Sequence, residues 1–238
     1  MTDRRSVRRG PALPALVVLV LGASGSGLPA TSPHLGVQDA PEAMVDAPVD
    51  ATGLASGPFA RMSMLYERTI FRVDVMRLML HFGPETAATL EELAAGREYD
   101  ESLADRIAET VVASRNVLAR SRFVRDVSYE QYMDGIRESM GHAREAGFLT
   151  PEEHDRLLPR IEAQYEPIHD RGIRDGEAVW YRIRGETFRV VLVARDGSHL
   201  VDNTTDGDAH GRALLGGYMA PESDFREELI RSLFRSED

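Results

Sequence analysis

The sequence predicts an α+β domain organised around an antiparallel sheet, and three features support that reading. Residues 177–202 read as three extended segments separated by tight turns at 184–186 and 195–198, and Asp196-Gly197 between Val- and aromatic-rich runs is a strong hairpin signal. In the first segment Val179, Tyr181 and Ile183 alternate with Trp180, Arg182 and Arg184, so one face is expected to be buried and the other wetter. Helical patterns both precede and follow these segments, and a meander of this kind needs them as cover.

Composition narrows the function. At 238 residues the chain can bury a good core, and without its N-terminal region the remainder is about one domain long. A net charge of -11 argues against nucleic acid or an anionic membrane surface as the main partner. The sequence contains Arg but no Lys, which removes Schiff-base chemistry and a phosphate-loop lysine. It contains no Cys, which removes disulfides, thiolate catalysis and cysteine metal sites.

Taken in order, the chain starts with a basic stretch at 1–9, a short apolar run at 13–21 and small residues after it. This is the three-part pattern of a secretory signal and is too short for a comfortable membrane helix, so export is expected, with an uncleaved anchor as the alternative. Cleavage is placed after Ala30 or near 23–25, without a choice between them. Residues 31–58 are rich in Pro, Ala, Gly, Asp and Ser with scattered apolar positions, and are expected to form a disordered tether.

Order is expected from Phe59. Ile70, Phe71, Val73, Val75, Leu78, Leu80 and Phe82 alternate with a change of parity near Met76, the mark of a strand with a bulge or of two paired strands. Gly83-Pro84-Glu85 opens a helix through Leu93 that Gly96 stops, and a second helix is expected over 102–113. The extended period returns around Leu118 to Val124. Ser128 caps a helix with apolar Tyr129, Tyr132, Met133, Ile136 and Met140, ended by Gly147, and Thr150-Pro151-Glu152-Glu153 is a capping box for the next. After the central strands come a polar loop over 202–211, a short helix through Leu214 and Leu215, and a last helix with Ser223 as its cap.

Candidate sites are few. Asp202, Thr204, Asp206 and Gly207 echo the start of a calcium loop, but the closing position is Ala213, which offers no carboxylate, so no metal is assigned. Glu152, Glu153, His154 and Asp155 fall in a first helical turn, where capping accounts for them. His169-Asp170 has no nucleophile elbow to serve, and Gly216-Gly217 is no dinucleotide fingerprint. The Tyr129-to-Met140 stripe could line a pocket for a flat or long apolar ligand, with ordinary core as the commoner fate. Arg182, Arg184, Arg189 and Arg195 on or beside the central strands could bind a carboxylate or simply face solvent.

Several runs carry a resemblance: Thr69-Ile-Phe-Arg-Val-Asp-Val-Met-Arg-Leu-Met-Leu, then Arg122-Phe-Val-Arg-Asp-Val with the helical hairpin behind it, then Asp175-Gly-Glu-Ala-Val-Trp-Tyr, and finally Leu214-Leu-Gly-Gly-Tyr-Met-Ala-Pro-Glu-Ser-Asp-Phe-Arg-Glu-Glu-Leu. In this colinear order, from Phe59 to the C-terminus, the chain resembles the chalcone isomerase-like family. The resemblance implies a large antiparallel sheet covered on one face by helices, with a ligand cleft between them and no cofactor. Plant enzymes of that family close a chalcone into a flavanone using an Arg, a Thr, a Tyr, an Asn and a late Thr or Ser. Here Arg61 stands at or beside the Arg position, Asp74 at the Thr, Phe148 or Leu149 at the Tyr, Asp155 near the Asn, and Gly211 or Arg212 near the last. Without those hydroxyls the resemblance implies a non-catalytic protein binding a small apolar ligand such as a fatty acid, with Arg61 as carboxylate anchor. An isomerase acting on a conjugated ketone and a protein interaction module are the alternatives.

Overall fold

Six alternating stretches pair in chain order into one antiparallel sheet: β1 (Ala60–Arg68), β2 (Val73–Phe82), β3 (Asn116–Phe123), β4 (Ala178–Arg184), β5 (Thr187–Val193) and β6 (His199–Asp206). Between β2 and β3 lie α1 (Pro84–Ala94) and α2 (Glu101–Val112); between β3 and β4 lie α3 (Tyr129–Glu145) and α4 (Pro151–Tyr165); α5 (Ala209–Met219) and α6 (Arg226–Ser232) follow β6. The computed structural model describes residues 47–51, 54, 60–68 and 73–234. The leader expected at 1–30 and the rest of the expected tether lie outside the described residues.

The register explains the core. Met62, Leu80, Ala119, Tyr181 and Val190 form one continuous cross-strand row on the helix-facing side, and each is buried. The rows Ala60, Phe82, Val117, Ile183, Phe188 and Met64, Leu78, Ser121, Val179, Leu192 lie on either side of it. Each fully buried Leu, Met or Phe here contributes about 1.5–3 kcal/mol. The parity change near Met76 has a physical source: β2 is one strand, and its register with β1 slips between Tyr66 and Glu67, leaving Val75 as the extra residue of a bulge; Ile70 and Phe71 lie outside the described residues.

The helix signals behave as their chemistry requires. Ser128 and Thr150 both close full capping boxes, with Gln131 and Glu153 reaching back, and Gly147 takes a positive φ of 78° after α3. Asp100 caps α2 through Leu103 N at 2.8 Å, one position earlier than the sequence suggests. Two readings need correction. The polar loop expected over 202–211 is strand in its first half, since β6 runs through Asp206, and helix from Ala209; β6 is the sheet's last strand, so its exposed residues can be polar. Ser223 does not cap α6; its Oγ accepts from Phe225 N at 3.3 Å in the turn before it.

Opposite the helices, the outer face of the sheet has its own cover. Val49 and Leu54 pack on Leu118, Ala178, Trp180 and Val191. Arg182, only 4% exposed, donates to the carbonyls of Asp50 (2.6 Å), Val117 (3.1 Å) and Ile183 (2.5 Å). Arg184 pairs with the Asp50 carboxylate at 2.7 Å. The tether expected to reach 58 is therefore a packed strap over 47–51 and at Leu54. Its apolar positions are too sparse to make a period, and what holds them is a buried guanidinium that needs acceptors.

His81 also lies on this face, 3% exposed, and burial, then the Arg61 charge, push its pKa down to about 4. A depressed histidine makes the fold lose stability as pH falls. Above the ordinary value of 6.5 nothing is lost; below it the unfolded chain takes up a proton that the folded one refuses, down to about 4. The loss approaches about 3 kcal/mol. Urea unfolding followed from neutral to acidic pH should show this slope, and His81→Leu should remove that part of it.

Candidate ligand cavity

Between the inner face of the sheet and helices α3 and α5 lies a cavity of about 510 Å³. The sheet supplies Met76, Ser121, Phe123, Tyr181, Phe188 and Val190; the helical side supplies Tyr132, Ile136 and Met140 from α3, Tyr165 from α4, and Ala213, Leu214 and Tyr218 from α5. Their order follows from period: inward positions of neighbouring strands meet one face of α3, where Tyr132, Ile136 and Met140 recur at helical spacing.

A cluster of phenols stands among the polar groups of this wall. The Tyr132 and Tyr181 hydroxyls are 3.1 Å apart, and the Tyr165 hydroxyl bonds to both. The Tyr132 ring meets Tyr165 edge-on at 5.0 Å and Phe123 at 5.9 Å, so the cluster is fixed by aromatic packing. Tyr218 bonds to Ser121. Burial raises all four phenols, Tyr165 to about 12 and the others further, so they stay protonated at neutral pH. They can donate to a carbonyl or carboxyl oxygen, and they are not bases.

His210, at the start of α5, adds an imidazole. It is 6% exposed, stacks on Phe188 at 5.6 Å, and is held neutral by burial, then by the charges of Arg160 and Arg156. Arg125 is an exposed lining residue with no hydrogen-bonding or ionic partner among the described residues.

The position of α5 depends on two glycines. A Cβ at Gly216 would sit 2.8 Å from Phe148 Cβ, and one at Gly217 would sit 1.9 Å from Ser139 Oγ and 2.9 Å from Ser139 O. The pair Gly216-Gly217 is thus the contact that lets α5 approach α3 and the turn after it.

The residues aligned with the enzymes' machinery stand elsewhere. Arg61 is on the outer face of β1, opposite His81 and out of phase with the inward Ala60 and Met62; it is not a lining residue. Asp74 is in β2 across from Glu67; its side chain lies outside the described residues. Phe148 is in the turn between α3 and α4, packed on Gly216, and its carbonyl accepts from Arg212 at 3.0 Å. Arg212 itself is tied to Glu153 at 2.5 Å, and Asp155 pairs with His154 on the surface at 3.0 Å. His169 and Asp170 form an exposed pair at 3.1 Å. Of the stripe weighed from sequence, Tyr132, Ile136 and Met140 line the cavity while Met133 is core. From sequence, His210 is considered only with Asp206 and Asp208 as a metal candidate and set aside, and Tyr165 and Tyr218 are not singled out, because their local patterns give no signal.

A six-stranded antiparallel meander under a helical layer is the chalcone isomerase-like fold, and the chain has that fold. Its sequence matches no protein-family model and no curated protein. Among solved structures it is similar to the fatty-acid binding protein of Arabidopsis thaliana, with a TM-score of 0.52 and 10% identity, covering 74% of this chain and 84% of that one.

Two glycines of the cavity wall should answer oppositely to alanine. Gly217→Ala drives a methyl into Ser139 and should cost about 1–3 kcal/mol in denaturant unfolding. Gly135→Ala, inside α3 with nothing within 4 Å of the new methyl, should stabilise by about 0.5–1 kcal/mol.

Proposed function

We propose that this protein is an exported, non-catalytic binding protein that holds a small apolar ligand with one polar end, such as a fatty acid, in the cavity between sheet and helices. The observation that carries the proposal is the cavity itself. Its 510 Å³ is in the range of small-molecule sites; Phe123, Ile136, Met140, Phe188, Val190 and Leu214 give it an aliphatic and aromatic side next to the phenols, and polar and charged side chains such as Arg125, Asp134, Glu138, His142 and Asp224 also line it. An acyl chain suits the Ile136, Met140, Phe188 and Leu214 side. The Tyr132, Tyr165 and Tyr181 hydroxyls suit the polar end, because they donate hydrogen bonds without asking a buried site to hold a charge. The fatty-acid binding neighbour of the same fold supports the ligand class, and the basic, apolar N-terminal stretch supports export.

One observation favours a second reading. The same protonated phenols could polarise the carbonyl of a conjugated ketone, as an isomerase would require. Loss of the visible absorbance of a chalcone incubated with the protein would select that reading.

The binding proposal predicts an acyl chain enriched in an organic extract of natively purified protein over a mock purification, and saturable binding of hexadecanoic acid by calorimetry. Ile136→Trp, which fills the cavity from a partly exposed helix position, should weaken binding at least tenfold while the circular dichroism spectrum is kept. Removing both hydroxyls by Tyr132→Phe with Tyr181→Phe should weaken the acid about tenfold, two hydrogen bonds of about 1 kcal/mol each less their mutual contact, and leave a hydrocarbon of equal length unaffected. An empty extract together with no calorimetric binding of the acid would overturn the proposal.

A further inference from the structure

The outer face of the sheet carries arginines on five strands: Arg61 on β1 lies across from His81, and those on β2 to β5 divide into two groups. Arg182 gives its donors to three carbonyls, Arg184 is paired with Asp50, and Arg189 holds Asp202 through two bonds of 2.9 and 2.8 Å. Arg77 on β2 and Arg120 and Arg122 on β3 have no carboxylate partner among the described residues. Arg77 and Arg122 are direct cross-strand partners, an arrangement of like charges that costs stability. Arg120 lies on the same face two residues along; its guanidinium is 4.9 Å from the Trp180 ring centroid and its buried Nε has no acceptor. In a chain of net charge -11, these three cations stand together without a carboxylate partner among the described residues.

Their apolar neighbours complete the pattern. Leu65, directly across from Arg77 on β1, is 37% exposed and is the one exposed large hydrophobic among the described residues. Met79, across from Arg120, is half-buried. The patch therefore reads Leu65, Arg77, Arg122 in one cross-strand row and Met79, Arg120, Trp180 in the next.

We propose that this patch docks the domain on an anionic lipid surface. A flat row on an open sheet offers a small anion only one or two of its guanidinium groups at a time, with water over the rest. A surface of lipid phosphates meets all three, accepts their forked donors, and gives Leu65 an apolar layer to enter. The negative net charge opposes long-range attraction, but at physiological ionic strength charges beyond about 8 Å are screened, and contact is governed by the patch itself. The cavity is on the opposite face of the sheet, so docking here leaves it uncovered; the proposal does not depend on what the cavity binds.

The test uses the full chain and vesicles of phosphatidylcholine with or without phosphatidylglycerol. Cosedimentation should occur with the anionic vesicles and weaken with added salt. Each arginine lost should reduce partitioning about fivefold, the equivalent of about 1 kcal/mol, so Arg77→Gln with Arg122→Gln should reduce it about 30-fold. The double lysine variant should restore it in part, since it returns the charge without the forked donors. Because the sequence has no cysteine, Met79→Cys gives a single site for an environment-sensitive dye, whose emission should shift blue on anionic vesicles only. Undiminished retention of the glutamine variant, as if the basic N-terminal stretch alone held the vesicle, would overturn the proposal. So would an unshifted dye, or displacement by inorganic phosphate at an ionic strength where sodium chloride has no effect, which would make the patch a site for a discrete oxyanion.

Discussion

Every part of this molecule answers one constraint: a six-stranded antiparallel sheet has two faces, and one layer of helices can cover only one of them. The inner face is solved by rows that are mostly apolar under the helices, with polar exceptions at Ser121 and Tyr181 in the cavity and at Asn203 and Thr205 on β6. The outer face is solved piecemeal. A strap of a few residues protects Trp180 and Leu118, the Arg182 guanidinium is saturated with carbonyls, and the strands towards β1 are left to arginine. Long aliphatic stems with charged heads suit that role, covering apolar surface while keeping the face soluble.

The cavity is the price of neither disorder nor poor packing, since the side chains around it are well ordered by one another. Gly216 and Gly217 bring α5 close to α3 at one end, and the aromatic cluster of Phe123, Tyr132 and Tyr165 keeps the layers apart beside it. The phenols then serve two purposes. Their rings hold the wall, and their hydroxyls, satisfied by one another in the absence of a ligand, avoid the penalty of unpaired polar groups in a low-dielectric space.

Local chemistry made much of the fold legible. Both capping boxes, the Gly147 stop and the Asp196-Gly197 hairpin follow from rules that operate within a few residues, and the parity change near Met76 marked the bulge in the first hairpin. Resemblance supplied the single helical layer. What could not be read were consequences of register between distant segments. Arg61 seemed a natural anchor from its place in the order of elements, yet being one residue out of phase with Met62 puts it on the other side of the sheet. The strap was invisible because its partners, Trp180 and Arg182, lie more than a hundred residues downstream. The cavity wall draws Tyr132, Tyr165, Tyr181 and Tyr218 from four separate elements, and no spacing rule connects them.

The strand order also shapes how the chain must find this structure. β1 with β2, and β4 with β5 and β6, are antiparallel neighbours only a few residues apart in the sequence, so each pair can form from local contacts. β3 is the joint between them, and it is separated from β2 by α1 and α2 and from β4 by α3 and α4. Docking it requires two long loops to close, and that entropy is what the folding rate must overcome. The strand that joins the two halves of this meander is thus its slowest to dock, and a change at Ser121 would be felt in the speed of folding as well as in the shape of the cavity floor.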